Sequence, residues 1–213
     1  MAQKDKIVEY RGCECLFVAR VLKDDADGIT FDTPEYLAGA SEISRKIESS
    51  TETKYYDNGP AIIASGVSAP EFTLSVSALS NEKLAYITGF SYDTAQDALD
   101  LGDYDPVDIA LMYKYQTDDN TAYYGVIYKG RFAIPEVKSA TRTAEAGDGT
   151  GIELTYTASK TTHAFTKTGK PGLGTEYMCP GDDVTKSKVD LSKFFDTVMT
   201  PDTATLTKPE ATE

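Results

Sequence analysis

Between Glu71 and Gly89 the apolar positions first alternate and then change period. Phe72, Leu74, Val76 and Ala78 fall on one side of an extended chain, with Glu71, Thr73, Ser75 and Ser77 on the other. That spacing predicts a strand with one dry and one wet face, the kind found in antiparallel sheets. Ser80 then offers an N-cap hydroxyl, Glu82 places an anion in the first turn, and Gly89 supplies a residue able to end the helix. Leu84 and Ile87, with Tyr86 beside them, give this short helix an apolar side to lay on the sheet.

The same reading extends along the chain. Leu16 to Leu22 reads as a strand, joined through the turn Lys23-Asp24-Asp25-Ala26-Asp27-Gly28 to Ile29-Thr30-Phe31. Thr33-Pro34 breaks the pattern. Beyond it Ile43 and Ile47 are the apolar residues in a polar stretch too poor in hydrophobics to be buried throughout. Its second half, Ser49 to Lys54, reads as the tip of a long hairpin or loop leaving the body, and Tyr55-Tyr56-Asp57-Asn58-Gly59-Pro60 as a closing turn. Val107 to Tyr115 and Ala122 to Phe132 read as two strands around the turn Gln116 to Asn120. Arg131 to Thr143 continues extended, Ala144 to Gly151 is a loop, and Ile152 to Thr157 alternates as a further strand. His163 to Gly181 reads as irregular. Leu191, Phe194, Phe195 and Val198 are spaced for a C-terminal helix over Val189 to Met199. From Thr200 to Glu213 no apolar pattern remains, which predicts a disordered tail after a single domain over residues 1–199.

Composition narrows the classes. Fourteen Tyr and no Trp, with many Thr, Ser and Val, favour a β-rich fold. A formal charge of −13, from 34 acidic against 21 basic residues, argues against a surface that grips nucleic acid through its phosphates. The three cysteines form no disulfide framework, and Cys13-Glu14-Cys15 is too close for an ordinary bridge or a redox motif. No stretch has the length and apolarity of a membrane span, and no apolar signal core follows Met1 to Lys6.

Candidate chemistry is sparse. His163 stands among Thr161, Thr162 and Phe165 with no second ligand at metal spacing, which reads as an ordinary hydrogen-bonded histidine. Asp24, Asp25 and Asp27 before Gly28 lack the closing glutamate of a calcium loop and read as turn residues. Asp93, Asp97, Asp100, Asp103 and Asp105 form a run without Lys or Arg, read as a solvated face rather than a metal site or acid pair. Gly147, Gly149 and Gly151, and Gly169, Gly172 and Gly174, lack phosphate-cradle spacing. No catalytic residue, metal or cofactor is expected. Ser49, Ser50, Thr51, Glu52, Thr53, Lys54, Tyr55, Tyr56 and Asp57 read either as a mobile excursion or as a contact arm, since paired tyrosines beside polar residues suit protein interfaces. A strand start packed on its own domain fits Tyr55 and Tyr56 equally.

Taken in order, these signals resemble the major tail protein, or tail tube protein, of long-tailed phages with non-contractile tails. The resemblance runs through Thr33-Pro34-Glu35-Tyr36-Leu37-Ala38-Gly39-Ala40, the Tyr55 to Gly59 turn, the strand and helix from Glu71 to Gly89, and Ala110-Leu111-Met112. Its most specific part is Tyr123-Tyr124-Gly125-Val126-Ile127-Tyr128-Lys129-Gly130-Arg131-Phe132, followed by Pro135. The resemblance implies a mainly β fold: an antiparallel β-sandwich or partly rolled barrel with a short flanking helix, to which the residues add a C-terminal helix. It implies a virion structural protein without catalysis, made in the host bacterial cytoplasm, whose copies join as hexameric rings. Stacked rings form the tail tube, with a long loop, here about residues 44–57, bridging one ring to the next. Tape measure, tail terminator and distal tail proteins are the implied partners. DNA would pass through an acidic channel without specific binding, since like charge keeps the phosphate backbone mobile.

A different class remains open: a monomeric β-sandwich binding module, for virion decoration or carbohydrate, using Tyr123 to Tyr128 as its contact face. A hydrolase built on the aspartates from Asp97 to Asp105 is the weakest reading.

Overall fold

The computed structural model describes residues 9–56, 59–118, 121–136, 151–166, 172–174, 176–181 and 189–205. Strand β1 (Tyr10–Asp24) is followed by β2 (Ile29–Phe31), β3 (Glu35–Ala38) and β4 (Ala40–Lys46), then by the paired strands β5 (Ser49–Tyr56) and β6 (Gly59–Val67). The alternating segment is β7 (Glu71–Val76), and helix α1 (Asn81–Thr88) comes next. Beyond it lie β8 (Phe90–Asp93), β9 (Ala98–Tyr104), β10 (Ile109–Thr117), β11 (Ala122–Ile127), β12 (Gly130–Phe132) and β13 (Ile152–Ala158). Three shorter pieces, β14 (Ala164–Phe165), β15 (Gly172–Leu173) and β16 (Glu176–Gly181), close the order. The chain is mainly β, as its composition predicts, and its sheets are antiparallel.

Two sheets face one another. The larger runs β16-β11-β10-β1-β2, with β3 also paired to β1; the smaller runs β12-β13-β7-β4. The alternation in β7 does what its spacing predicts as far as Val76: Phe72, Leu74 and Val76 are buried and lie opposite Tyr156, Leu154 and Ile152, whereas Ala78, expected on the same side, lies past the end of the strand and is exposed. Strand β10 shows why a continuous apolar run differs from an alternating one. Ile109, Leu111 and Tyr113 enter the core between the sheets, whereas Ala110 and Met112 enter a second core on the other face. That second core is roofed by Val189, Leu191, Phe194, Val198 and Met199. The phenol of Tyr156, fully buried, donates to the Ile109 carbonyl at 2.7 Å and ties the smaller sheet to the larger. Register shifts between Tyr10 and Cys13 and between Glu14 and Phe17, with positive φ at Gly12 and Cys15, mark bulges in β1. Bulges bend a strand and raise its twist, and here they accompany a curled half-barrel.

Helix α1 is capped as its sequence predicts. The Ser80 hydroxyl accepts from the Lys83 amide at 3.3 Å, and Gly89, at φ 89°, donates its amide to the Ala85 carbonyl at 2.9 Å. Arg20 of β1 fastens the helix to the sheet. Its guanidinium donates to the Tyr86 carbonyl at 3.0 and 3.1 Å and lies 4.6 Å from the Tyr86 ring centre. A cation at the last carbonyls also complements the helix dipole.

Three expectations are corrected. The C-terminal helix does not form: Ser192 to Thr197 are successive turns closed by short bonds, Phe194 N to Leu191 O and Asp196 N to Lys193 O, both 3.1 Å. Helical spacing over so few residues cannot repay nucleation, and the Asp190 carboxylate captures the Ser192 amide instead. The apolar side chains are buried all the same, because turns at this spacing still put Leu191, Phe194 and Val198 on one side. Next, Ala122 to Phe132 is not one strand; the chain leaves the large sheet after Ile127 and enters the small one at Gly130. Finally, His163 to Gly181 is not wholly irregular, since β16 pairs with β11 from Ala122–Gly181 to Ile127–Glu176. Glycine and proline in Gly172 to Gly181 hide that edge strand from pattern reading. Within the expected tail, Thr200 to Thr205 form a turn with Thr200 buried, and residues 206–213 lie outside the described part.

Candidate functional site

The expected contact arm is a two-stranded hairpin that stands apart from both sheets. Of its candidate residues, Ser49, Ser50, Thr51, Glu52, Thr53, Lys54, Tyr55 and Tyr56 are strand β5, and Asp57 lies outside the described residues. Pairing runs from Ser49–Val67 through Lys54–Ile62 to Tyr56–Gly59, with a shift between Lys54 and Tyr55. Ser49 to Lys54 are therefore the outgoing strand rather than the tip. Eight residues at about 3.3 Å each give a reach of roughly 25 Å. The base is clamped by Ser68 N to Glu48 O at 2.8 Å and Glu48 N to Ser68 Oγ at 3.0 Å. Beside that clamp, Ile47 and Val67 are exposed, Val67 to 73%. Strand β6 carries the apolar run Ala61-Ile62-Ile63-Ala64 against the polar β5. An isolated hairpin of this kind is marginal in water and gains from a covering surface.

The acidic run is a second two-stranded hairpin outside both sheets, held against α1, where the Asn81 side-chain amide donates to the Asp97 carbonyl at 2.9 Å. β8 and β9 pair with each other, and their aspartates serve turns: Asp93 accepts from Ala95 N, Asp100 from Gly102 N, and Asp97 from the Tyr92 phenol, each at 2.8 Å. That hydrogen bond, foremost, raises the Tyr92 phenol above its ordinary pKa. All these carboxylates are exposed, and no group of three or more His, Cys, Asp or Glu among the described residues is placed for a metal. Asp25 likewise accepts from Asp27 N and Gly28 N, as turn chemistry predicts.

Asp24 behaves differently from its neighbours. Its side chain, 5% exposed, accepts from Lys129 Nζ at 2.8 Å and from the amides of Thr162 and His163 at 2.9 and 3.0 Å. Burial alone would push this carboxyl up, but those donors outweigh it and hold it below the usual range. Lys129 also reaches Asp108 at 3.5 Å, which pairs with Arg131 at 2.6 Å. Sequence inspection could not find this cross-link, because its partners are 105 residues apart. His163 places Nε2 3.4 Å from Asp202 and stands edge-on to Phe165, so it ties the C-terminal turns to β14.

The tyrosine-rich strand is not an open face. Tyr124 and Tyr128 are buried, against Phe194 and Phe165 respectively, while Tyr123 stacks on Tyr115 with rings 7° from parallel. Of the contact face expected for a binding module, Tyr124 and Tyr128 are thus covered by the C-terminal segment and by Phe165, and Tyr123 is half-buried. What is open is a cleft of about 420 Å³ between the start of β1 and β4, floored by Phe72, Tyr113 and Tyr115 and edged by Tyr10, Ile43 and Arg45. Burial, chiefly, pushes the Tyr115 phenol up to about 12.

Two hairpins outside the sheets, and outer strands that pair with no further described strand, describe a bulged sandwich with surfaces left to cover. The family model described as phage tail tube protein matches residues 25–199. The chain belongs to that family. Among curated proteins, no relative matches it. It is accordingly a structural protein of the phage tail tube, found in the virion tail and assembling there with other tail proteins. The matched span takes in the smaller sheet, α1, both hairpins and every strand of the larger sheet except β1, which ends at Asp24.

Proposed function

We propose that this tail tube protein forms hexameric rings that stack into the tube, and that hairpin β5–β6 bridges each ring to the next. The observation that supports this reading is the hairpin itself, which pairs with no other described strand and bears an apolar run on one of its strands. Projecting from a clamped base, it exchanges water for a neighbour's surface at little cost to the free subunit. Closure into a ring also pairs the outer strands, which otherwise invite uncontrolled association. The excess of acidic residues suits a lumen that conducts DNA and does not hold it. Tape measure, terminator and distal tail proteins would set length and ends. The subunit is made in the host cytoplasm and has no catalytic step.

The test is to replace residues 50–66 with a two-residue turn and to follow assembly by electron microscopy and analytical ultracentrifugation. Rings or monomers with an unchanged unfolding midpoint are expected. Long tubes from the shortened chain would overturn the bridging role of the hairpin.

A further inference from the structure

Hairpin β8–β9 and the aromatic cleft lie on opposite flanks of the smaller sheet. The hairpin packs on α1, and Tyr104 and Asp105 at its end lie close enough to Arg131 of β12 to act on its charge. The cleft borders β4, the other outer strand of that sheet. Each flank has what the other wants. The hairpin exposes Leu101 to 68% and Tyr104 to 46%, the latter with one side of its ring against Phe90 at 5.2 Å. The cleft offers an apolar floor of Phe72, Tyr113 and Tyr115 in a space of about 420 Å³. Charge agrees as well: the hairpin carries Asp93, Asp97, Asp100, Asp103 and Asp105 with no base, while the cleft edge balances Glu42 with Arg45. In a chain of charge −13, that balanced edge is a surface an acidic hairpin approaches without strong repulsion. Both sides also end in an outer strand, β9 in its two-stranded sheet and β4 in the four-stranded one, so main-chain pairing can accompany side-chain burial.

We propose that β9 of one copy seats Leu101 and Tyr104 in the β1–β4 cleft of the next, making the lateral contact of the ring. Because the two surfaces differ, the contact is head-to-tail, the geometry that closes into rings. The inference rests on the ring-and-tube reading but names a surface that reading does not require.

Cys13 lines the cleft and supplies the test. With Cys15 and Cys179 changed to Ser, Leu101→Cys and, separately, Tyr104→Cys are assembled and mildly oxidised. Expected is a ladder of disulfide-linked oligomers on a non-reducing gel, lost when Cys13→Ser is added. A disulfide needs Cα atoms within about 7 Å, so the ladder reports this contact and not general proximity. Leu101→Asp serves as the second variant: an unchanged unfolding midpoint with at least a tenfold rise in the concentration needed for assembly is expected. Rings or tubes that show no Cys13-dependent ladder, or that form from Leu101→Asp at the ordinary concentration, overturn the contact and leave the tube reading intact. A monomer at every concentration, with tail initiation partners present, overturns both.

Discussion

Hairpins β10–β11 and β5–β6 have the same local construction and opposite surroundings. In β10–β11, register from Leu111–Ile127 to Gln116–Ala122 places side chains alternately in two cores, so both faces are covered. In β5–β6 a comparable ladder from Ser49–Val67 to Tyr56–Gly59 pairs with no further described strand. One hairpin is held by packing and fixes the subunit; the other is held by its own ladder and a clamp at Glu48 and Ser68. The difference teaches where stability and assembly are stored. Changes in the body should be read as unfolding free energies, and changes in the arm as assembly equilibria.

The sharpest way to break that division begins in the body. Gly89 sits at φ 89°, and a Cβ there would run into the Asp105 carbonyl. Gly89→Ala combines a left-handed backbone penalty with a backbone clash that no side-chain movement relieves. A loss of about 3–4 kcal/mol is expected from the urea midpoint. A loss below about 1 kcal/mol would show that the α1–β8 junction is not fixed as described.

The Asp24 cross-link comes next. Asp24→Asn leaves a nearly isosteric group but removes the charge that faces Lys129 and the Thr162 and His163 amides. Charge-assisted bonds of this kind contribute about 2–3 kcal/mol together when buried. The sign with pH follows from the depressed carboxyl. Its contribution is present above the unfolded value of 3.8 and is lost as pH falls through the lower folded value. Wild type and Asp24→Asn should therefore differ most near neutrality and converge in acid below about pH 4. Parallel stability curves down to strong acid would refute the charge as the cause.

A smaller effect belongs to the helix start. Ser80→Ala removes the acceptor for the Lys83 amide at an exposed N-cap, and about 1 kcal/mol is expected by chemical denaturation. Ser80→Asp should restore most of it, since a carboxylate both caps and meets the positive end of the helix.

How far these features were legible in the sequence follows the range of the interactions. Ser80, Gly89 and the alternation from Phe72 to Val76 were readable because each is fixed by neighbours within a few residues. The hairpin leaving the body was foreseen in outline, but its length was not: the polar β5 and apolar β6 share no period, and only register joins them. The C-terminal helix was expected because a 3.6 period and a chain of packed turns bury the same positions. Asp24, Arg20 and Tyr156 act through partners distant in sequence, so their roles come from tertiary placement. The aromatic cleft was likewise invisible, being made where Tyr10, Phe72 and Tyr115 meet from three strands.

The smallest stability effect should accompany a large assembly effect, and Val67 at the foot of the arm is the place to look. It is 73% exposed in the subunit, beside the Glu48–Ser68 clamp and close in sequence pairing to Ser49. Val67→Ser removes apolar surface that is already in water, so the unfolding midpoint should move by no more than about 0.5 kcal/mol. If the arm's base is covered by a neighbouring ring, that same surface is buried in the tube, and losing most of a valine's burial costs about 1–2 kcal/mol per contact. Repeated around a ring and along a tube, the cost raises the assembly concentration by an order of magnitude or more. Light scattering on the variant and wild type, with unfolding measured on the same samples, separates the two quantities. An assembly threshold equal to wild type would place Val67 in solvent in the tube as well, and would confine the bridging contact to the outer part of the arm.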